Sequence, residues 1–158
     1  MTCLFELSIA LLITLLNGFF VMAEYSLVRI RKSRLDELIR QGKSRANTVL
    51  KMSEKLDTYL SATQLGITAS SLLLGWFGGP LLAEMFRGMF GVSAGTWYDH
   101  SLVFACAFLI IVFLHVVFGE LVPRTIALGK VEQVAMAVAY PLVFFHYLLY
   151  PLVVLFNR

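Results

Sequence analysis

A carboxylate near the end of an apolar helix is the first residue of this chain that could do chemistry. The stretch 109–128 reads LIIVFLHVVFGELVPRTIAL, and Glu120 interrupts it directly after Gly119. A carboxylate in a membrane-type helix is costly to bury, so it usually marks a functional site. Pro123 has no N–H and cannot donate to the carbonyl of Gly119, which predicts a free backbone oxygen beside the carboxylate. This pair suits a hard cation, whereas the alternative is a helical ion pair between Glu120 and Arg124.

Further candidate ligands lie in two other apolar stretches. Asn17 and Glu24 are seven residues apart and share one helix face, which should point into a bundle because lipid offers no partner to either group. Asn17 could instead form an ordinary hydrogen bond to a neighbouring helix. Ser70 and Ser71 supply hydroxyl oxygens from the second stretch. His115 is interpreted as a packed core histidine, since a lone histidine rarely binds a hard cation.

The second apolar stretch is unusually polar for a membrane helix. Its polar and small residues follow a 3-4 spacing on one face, which we expect to point inward: Ser61, Gln64, Thr68, Ser71 and Gly75. A second strip of small residues lies beside it: Thr63, Gly66 and Ser70. Such faces pack helices closely and bond hydroxyls across the interface, but their oxygens also suit magnesium or sodium.

Composition places the chain among membrane proteins. Of its 158 residues, 59% are hydrophobic and only 15% are charged, whereas soluble domains have about half and a quarter. Cys3 and Cys106 sit in apolar runs without metal-type spacing, and no zinc cluster, P-loop or serine-hydrolase elbow occurs. We therefore expect neither an enzyme nor a nucleic-acid-binding protein.

Three membrane-spanning helices are predicted, at about 3–28, 59–77 and 101–122. Nine of the 13 Lys and Arg residues lie in segment 29–57, so this segment should be cytoplasmic and the N-terminus outside. Within it, apolar spacing predicts two short amphipathic helices separated at Gly42. Its positive charge suits contact with anionic lipid head groups.

Two segments flank the predicted third span. Gly78-Gly79-Pro80 should end the second span, and 81–98 should form a helix along the outer interface. Segment 131–156 is long enough to be a fourth span. Its prolines, Pro141 and Pro151, and its aromatic polar tips favour instead a kinked helix at the inner interface.

Several motifs of the chain resemble the CorC/cyclin-M family of hemolysin-C-like magnesium transporters. They are Asn17-Gly18-Phe19-Phe20, Ala23-Glu24, RIRKSRL at 29–35, SATQLGIT at 61–68 and FGELVPR at 118–124. The resemblance covers essentially the whole chain. It implies three spanning helices and a juxtamembrane belt helix, a homodimer, and magnesium export coupled to sodium entry. It also implies a pair of cytoplasmic CBS domains in the full-length protein, of which this sequence contains none.

The resemblance also implies where an ion would bind. Glu120 with Gly119 matches the ion motif of the family's third helix, and Ser71, next to Ser70, stands where many members have Asn. The common first-helix pattern Ser-Gly-Ser-Glu is absent, because Val21, Met22 and Ala23 precede Glu24. Asn17 or first-helix backbone carbonyls are therefore the expected ligands there.

The sequence thus predicts an all-α membrane protein, a dimeric bundle of three transmembrane helices with an interfacial belt helix over 131–156. The predicted metal ligands are Glu120, Gly119, Ser71, Ser70 and Asn17. Mg²⁺ is the expected transported ion, with Na⁺ as a possible coupling ion, in a multi-pass protein of the cell membrane surrounded by lipid. A non-transporting magnesium sensor, or a membrane anchor for a regulatory domain, is the alternative function.

Overall fold

The computed structural model describes the backbone of residues 2–90 and 97–156, and the side chains of 7–78, 105–106 and 108–150. Every element in these ranges is helical. In chain order they are α1 (Thr2–Arg29), α2 (Lys32–Arg40), α3 (Ser44–Glu54), α4 (Leu56–Phe90), α5 (Trp97–Leu114), a π-helical segment (His115–Leu121), α6 (Val122–Gly129) and α7 (Val131–Phe156).

The helix that contains the predicted third span is longer than the prediction of about 101–122. Leu114 and Val122, at the two ends of the π-helical segment, both have right-handed helical backbone angles, so α5, the π-helical segment and α6 form one continuous helix. It runs past Pro123 to Gly129, whereas the sequence predicted an end near residue 122. Pro123 removes one backbone hydrogen bond from this continuous helix, a loss that membrane helices accommodate when a neighbouring side chain supplies the missing donor.

The predicted helix end at residues 78–80 is wrong, while the bounds of the second membrane span stay a prediction. Helix α4 continues through them to Phe90, so part of the predicted outer helix belongs to α4, and its side chains lie outside the described residues. Gly78 serves packing rather than termination, because a Cβ there would meet the Cδ1 of Ile111 at 2.7 Å. Pro80 costs the helix one backbone hydrogen bond, a loss that membrane helices often accommodate.

The side of α4 that packs inward also differs from the prediction. Gln64, Thr68 and Gly75 are exposed, and Ser71 is half-buried. The buried face instead carries the neighbouring strip, Thr63, Gly66 and Ser70. Periodicity identified both strips correctly but could not say which one meets α1.

The hydrophobic core lies where the basic segment meets α1, α6 and α7. α1, α2, α3, α6 and α7 all contribute to it, with fully buried side chains that include Leu27, Leu35, Leu38, Val49, Met52, Ala127 and Leu142. The two short amphipathic helices are confirmed, with Gly42 between them at a φ of 79° that favours glycine. At the surface, Arg34 donates to Glu132 of α7 at 2.6 Å and pairs with Glu37, and these hydrogen bonds raise the pKa of the guanidinium.

Three helices of the described chain are long and apolar enough to cross a membrane: Leu7–Arg29, Phe108–Gly129 and Val131–Tyr150. Two of them contain most of the predicted first and third spans. The predicted second span lies in α4, whose polar residues lower its hydropathy. The helix over Val131–Phe156 has the predicted bounds, while its position at the inner interface stays a prediction.

Candidate ion site

The site forms around the π-helical segment. In a π-helix the backbone hydrogen bonds reach one residue further than in an α-helix, and such segments frequently occur at functional sites. Here the N–H of Val122 donates to the carbonyl of Val117, five residues back. The next residue, Pro123, has no N–H to donate, so the α-helical partner of the Gly119 carbonyl is missing. The widened turn thus presents the carbonyl of Gly119 to neighbouring helices.

Asn17 of α1 takes the place of that missing donor. Its Nδ2 donates to the carbonyl of Gly119 at 2.9 Å, and the Asn17 side chain is only 1% exposed. A side chain at residue 119 would crowd this contact, because a Cβ there would lie 3.2 Å from Asn17 Nδ2 and 3.0 Å from His115 Nδ1. The sequence left two roles open for Asn17, an ion ligand or a hydrogen bond to a neighbouring helix. The structure shows the hydrogen bond, and its acceptor is the Gly119 carbonyl that was itself predicted to bind the ion.

A close approach between α1 and α6 holds this arrangement. A Cβ on Gly18 would lie 2.9 Å from Cγ of Pro123, and both residues are buried. Pro123 therefore has two effects, since it deprives Gly119 of a helical partner and also packs against the residue that follows Asn17.

His115 connects the turn to α4. Its Nε2 lies 3.1 Å from Oγ of Ser71, whose hydroxyl also donates to the carbonyl of Ile67 at 2.9 Å. Ser70 is buried, and its hydroxyl donates to the carbonyl of Gly66 in its own helix at 2.8 Å. The described contacts thus link Ser71, rather than Ser70, to the π-helical segment.

Glu120 has no ion-pair partner among the residues whose side chains are described. The alternative pair with Arg124 is wrong, because the Arg124 guanidinium lies over the ring of Tyr25, 4.6 Å from its centroid. Glu120 is exposed and interacts electrostatically with the half-buried Glu24 of α1 and with His115. Two carboxylates therefore contribute negative potential beside the turn.

Two polar atoms at the turn are buried without a hydrogen-bond partner, namely Oδ1 of Asn17 and Nδ1 of His115. Buried polar atoms are nearly always paired, so an orphan requires an explanation such as a bound ion or water. Oδ1 of Asn17, the Gly119 carbonyl, the Ser71 hydroxyl and the Glu120 carboxylate are all oxygen ligands of the kind that hard cations prefer. Within the described part of the chain, no group of three or more His, Cys, Asp or Glu side chains is arranged so that it could hold a metal ion.

Sequence reasoning therefore identified Asn17, Gly119 and Ser71 as neighbours of one turn, and it missed two residues. His115 was interpreted as a core residue, although its position one helical turn before Gly119 was a usable signal. Glu24 was placed on the Asn17 face but was not chosen as a ligand. Its approach to Glu120 depends on how α1 packs against the third span, which spacing along one helix cannot show.

Comparison with known families decides the classification. The family model of the cyclin M transmembrane N-terminal domain matches residues 7–158, which is nearly the whole chain. The chain belongs to the cyclin M transmembrane-domain family. It is accordingly a multi-pass membrane protein, and the resemblance read from its motifs is confirmed.

Bacterial relatives agree with the cyclin M assignment. The chain is 41% identical over 143 residues to the UPF0053 protein YugS of Bacillus subtilis, covering 90% of this chain and 33% of that protein. It is 42% identical over 151 residues to YhdP of the same organism, covering 95% and 34%. An uncharacterised Mycobacterium tuberculosis protein, Rv1841c, is 38% identical over 150 residues, covering 95% and 43%. The chain thus spans between a third and a half of the length of these relatives.

Proposed function

We propose that this cyclin M domain carries Mg²⁺ across the cell membrane, as an exporter driven by Na⁺ entry. The observation that carries the proposal is the buried hydrogen bond from Asn17 to the Gly119 carbonyl, at a π-helical turn whose carboxylate has no ion-pair partner among the described side chains. Family membership supports the same substrate class. Its members form a membrane transporter-type domain rather than an enzyme family.

The oxygen set favours Mg²⁺ over transition metals. Zinc and copper prefer imidazole and thiolate clusters, whereas magnesium takes oxygen ligands in near-octahedral geometry at about 2.0–2.1 Å. Glu120 supplies the anionic oxygen, and Gly119, Asn17 and Ser71 supply neutral ones. Ser70 contributes at most indirectly, because its hydroxyl is bonded within α4.

A rotation of the Asn17 amide explains how the site could alternate between states. With Nδ2 bonded to the Gly119 carbonyl, the amide presents a donor where a cation would need an acceptor. Turning the amide over would place Oδ1 beside the same carbonyl, so that both oxygens face the ion. In the structure the amide has the first of these two orientations. Sodium would compete for the same oxygens, which gives mutually exclusive occupancy of a single site.

The arrangement in the membrane follows from charge and from the exposed face of α4. We propose an outside N-terminus, because the basic segment between α1 and α4 favours the cytoplasm. We also propose a homodimer, because the polar side chains of Gln64 and Thr68 are exposed on α4 and lipid offers them no hydrogen-bond partner. A second copy of the chain would cover this face. Lipid surrounds the dimer, and CBS domains follow in the full-length protein.

These two proposals predict specific labelling and mass results. In a variant with Cys3 and Cys106 replaced by serine, a single cysteine introduced at exposed Lys43 should react only when the membrane is opened. Reaction with an impermeant reagent from outside intact cells would show that the proposed orientation is the wrong way round.

The native mass of the purified protein should be that of two chains. A protein that is only monomeric would contradict the dimer proposal.

Flux through sealed vesicles tests transport directly. The full-length protein, reconstituted with a magnesium indicator inside, should move Mg²⁺ at a rate that depends on an opposing Na⁺ gradient. Protein-free vesicles and vesicles with equal Na⁺ on both sides are the controls. Saturable Mg²⁺ binding without flux would instead support the sensor or anchor function.

A further inference from the structure

His115 occupies a position between two predicted ligands. It is the first residue of the π-helical segment, and it is half-buried. One edge of its ring reaches Ser71 in α4, with Nε2 3.1 Å from the hydroxyl oxygen. The other edge faces the backbone of Gly119, where a Cβ would lie 3.0 Å from Nδ1.

The hydrogen bonds of Ser71 point to one tautomer of the His115 imidazole. Ser71 has one hydroxyl hydrogen, and it is donated to the carbonyl of Ile67 at 2.9 Å. The contact with His115 therefore requires Nε2 to carry a hydrogen and to donate it to the serine oxygen. Nδ1 is then an acceptor, and it is the atom that the structure leaves buried without a partner.

These hydrogen bonds fix the direction of the remaining lone pair on the Ser71 oxygen. Its hydrogen goes to Ile67, and one lone pair accepts from His115, so the other lone pair remains for a cation. A serine side chain otherwise has three staggered rotamers. The hydrogen bond from His115 thus selects the orientation in which the oxygen faces the π-helical segment.

Packing alone does not hold the imidazole in place. A cavity of about 330 Å³ lies beside it between α1, α4 and α5, and its walls include Thr14, Leu74 and Ile111. The ring is therefore free on that side, and its contacts with Ser71 and Gly119 determine where it stands. An apolar residue of the same size could turn toward the cavity.

We propose that His115 is a positioning residue that holds the Ser71 hydroxyl oxygen toward the π-helical segment, and so favours Mg²⁺ over Ca²⁺. The inference rests on the proposed function of this site. Mg²⁺ demands short bonds and rigid geometry, while Ca²⁺ accepts more ligands at longer and more variable distances. Loosening Ser71 should therefore harm Mg²⁺ binding more than Ca²⁺ binding.

Matched substitutions in the full-length protein test this role. His115→Gln keeps an N–H donor, whereas His115→Leu keeps apolar bulk and removes it. We expect His115→Leu to weaken Mg²⁺ affinity about fivefold, a typical effect of losing one hydrogen bond, and Ca²⁺ affinity less than about twofold. His115→Gln should restore most of the Mg²⁺ affinity. In the background of Ser71→Ala, His115→Leu should have no further effect, because the partner is already gone.

Calorimetry with MgCl₂ and CaCl₂ measures these affinities, and ¹⁵N NMR of the histidine ring in the unmodified protein checks the tautomer. Equal losses for both ions, additive effects of the two substitutions, or a hydrogen on Nδ1 instead of Nε2 would each overturn the inference. If the unmodified protein shows no saturable Mg²⁺ binding, the proposed function falls and this inference with it. If it binds Mg²⁺ but the substitutions act additively, only the role of His115 is lost.

Discussion

Glu120→Gln is expected to weaken Mg²⁺ binding at least about tenfold, which corresponds to ~1.4 kcal/mol. The substitution keeps the size of the side chain and removes its negative charge. No described side chain forms an ion pair with this carboxylate, so its full charge is available to a cation. Calorimetry on the purified protein measures the loss, and flux through vesicles should fall with it.

Glu54→Gln is the matched control, since it makes the same chemical change at an exposed position of α3. It should leave Mg²⁺ affinity unchanged. Unchanged affinity in Glu120→Gln would remove Glu120 from the site, and the transport proposal would then rest on family membership.

Tyr25→Leu provides a second check, because Arg124 lies over the Tyr25 ring. Releasing Arg124 allows it to neutralise Glu120, so Mg²⁺ affinity should decrease although no ligand has been altered.

Under the proposed function, the electrostatic interaction between Glu24 and Glu120 would change the charge balance of the site. With Glu120 alone, bound Mg²⁺ would leave one net positive charge, whereas two carboxylates would bring the region to neutrality. Glu24 comes from α1, the same helix as Asn17, so α1 would supply both a neutral ligand and a compensating charge.

Much of the fold could be predicted because it depends on local patterns. Hydrophobic spacing predicted the two short helices around Gly42, and the length and apolar character of segment 131–156 predicted the helix Val131–Phe156. The missing N–H of Pro123 was enough to predict that the Gly119 carbonyl has no hydrogen-bond donor within its own helix. Each of these inferences needs only the chemistry of neighbouring residues.

The remaining features depend on contacts between distant segments. The sequence could not show that Arg124 would lie over Tyr25 instead of pairing with Glu120, because that choice depends on where α1 packs. Nor could it show that α4 passes through Gly78 without ending, since the glycine accommodates Ile111 from another helix. His115 was underestimated for the same reason, as its partner Ser71 is 44 residues away.

Gly66→Ala is expected to give the largest loss of stability of any small substitution in the bundle. A Cβ at this position would lie 2.6 Å from three carbons of the Phe20 ring, which real structures do not allow. The ring cannot easily retreat, because it packs edge-on against Phe19 at 5.3 Å and Phe145 at 5.1 Å and is only 3% exposed. Overpacking of this kind costs about 1–3 kcal/mol. Thermal unfolding of the purified protein in mild detergent measures the effect.

Gly75→Ala is the control on the same helix, since nothing lies within 4 Å of a Cβ there and the position is exposed. It should leave the melting temperature unchanged or raise it slightly, because alanine favours helix more than glycine does.

Combining Gly66→Ala with Phe20→Leu should restore part of the lost stability, since the smaller side chain leaves room for the methyl group. Phe20 lies one turn after Asn17 on α1, so Gly66→Ala should also weaken Mg²⁺ binding by moving Asn17 away from Gly119. Equal melting temperatures for the two alanine variants would show that α1 and α4 do not pack through Gly66.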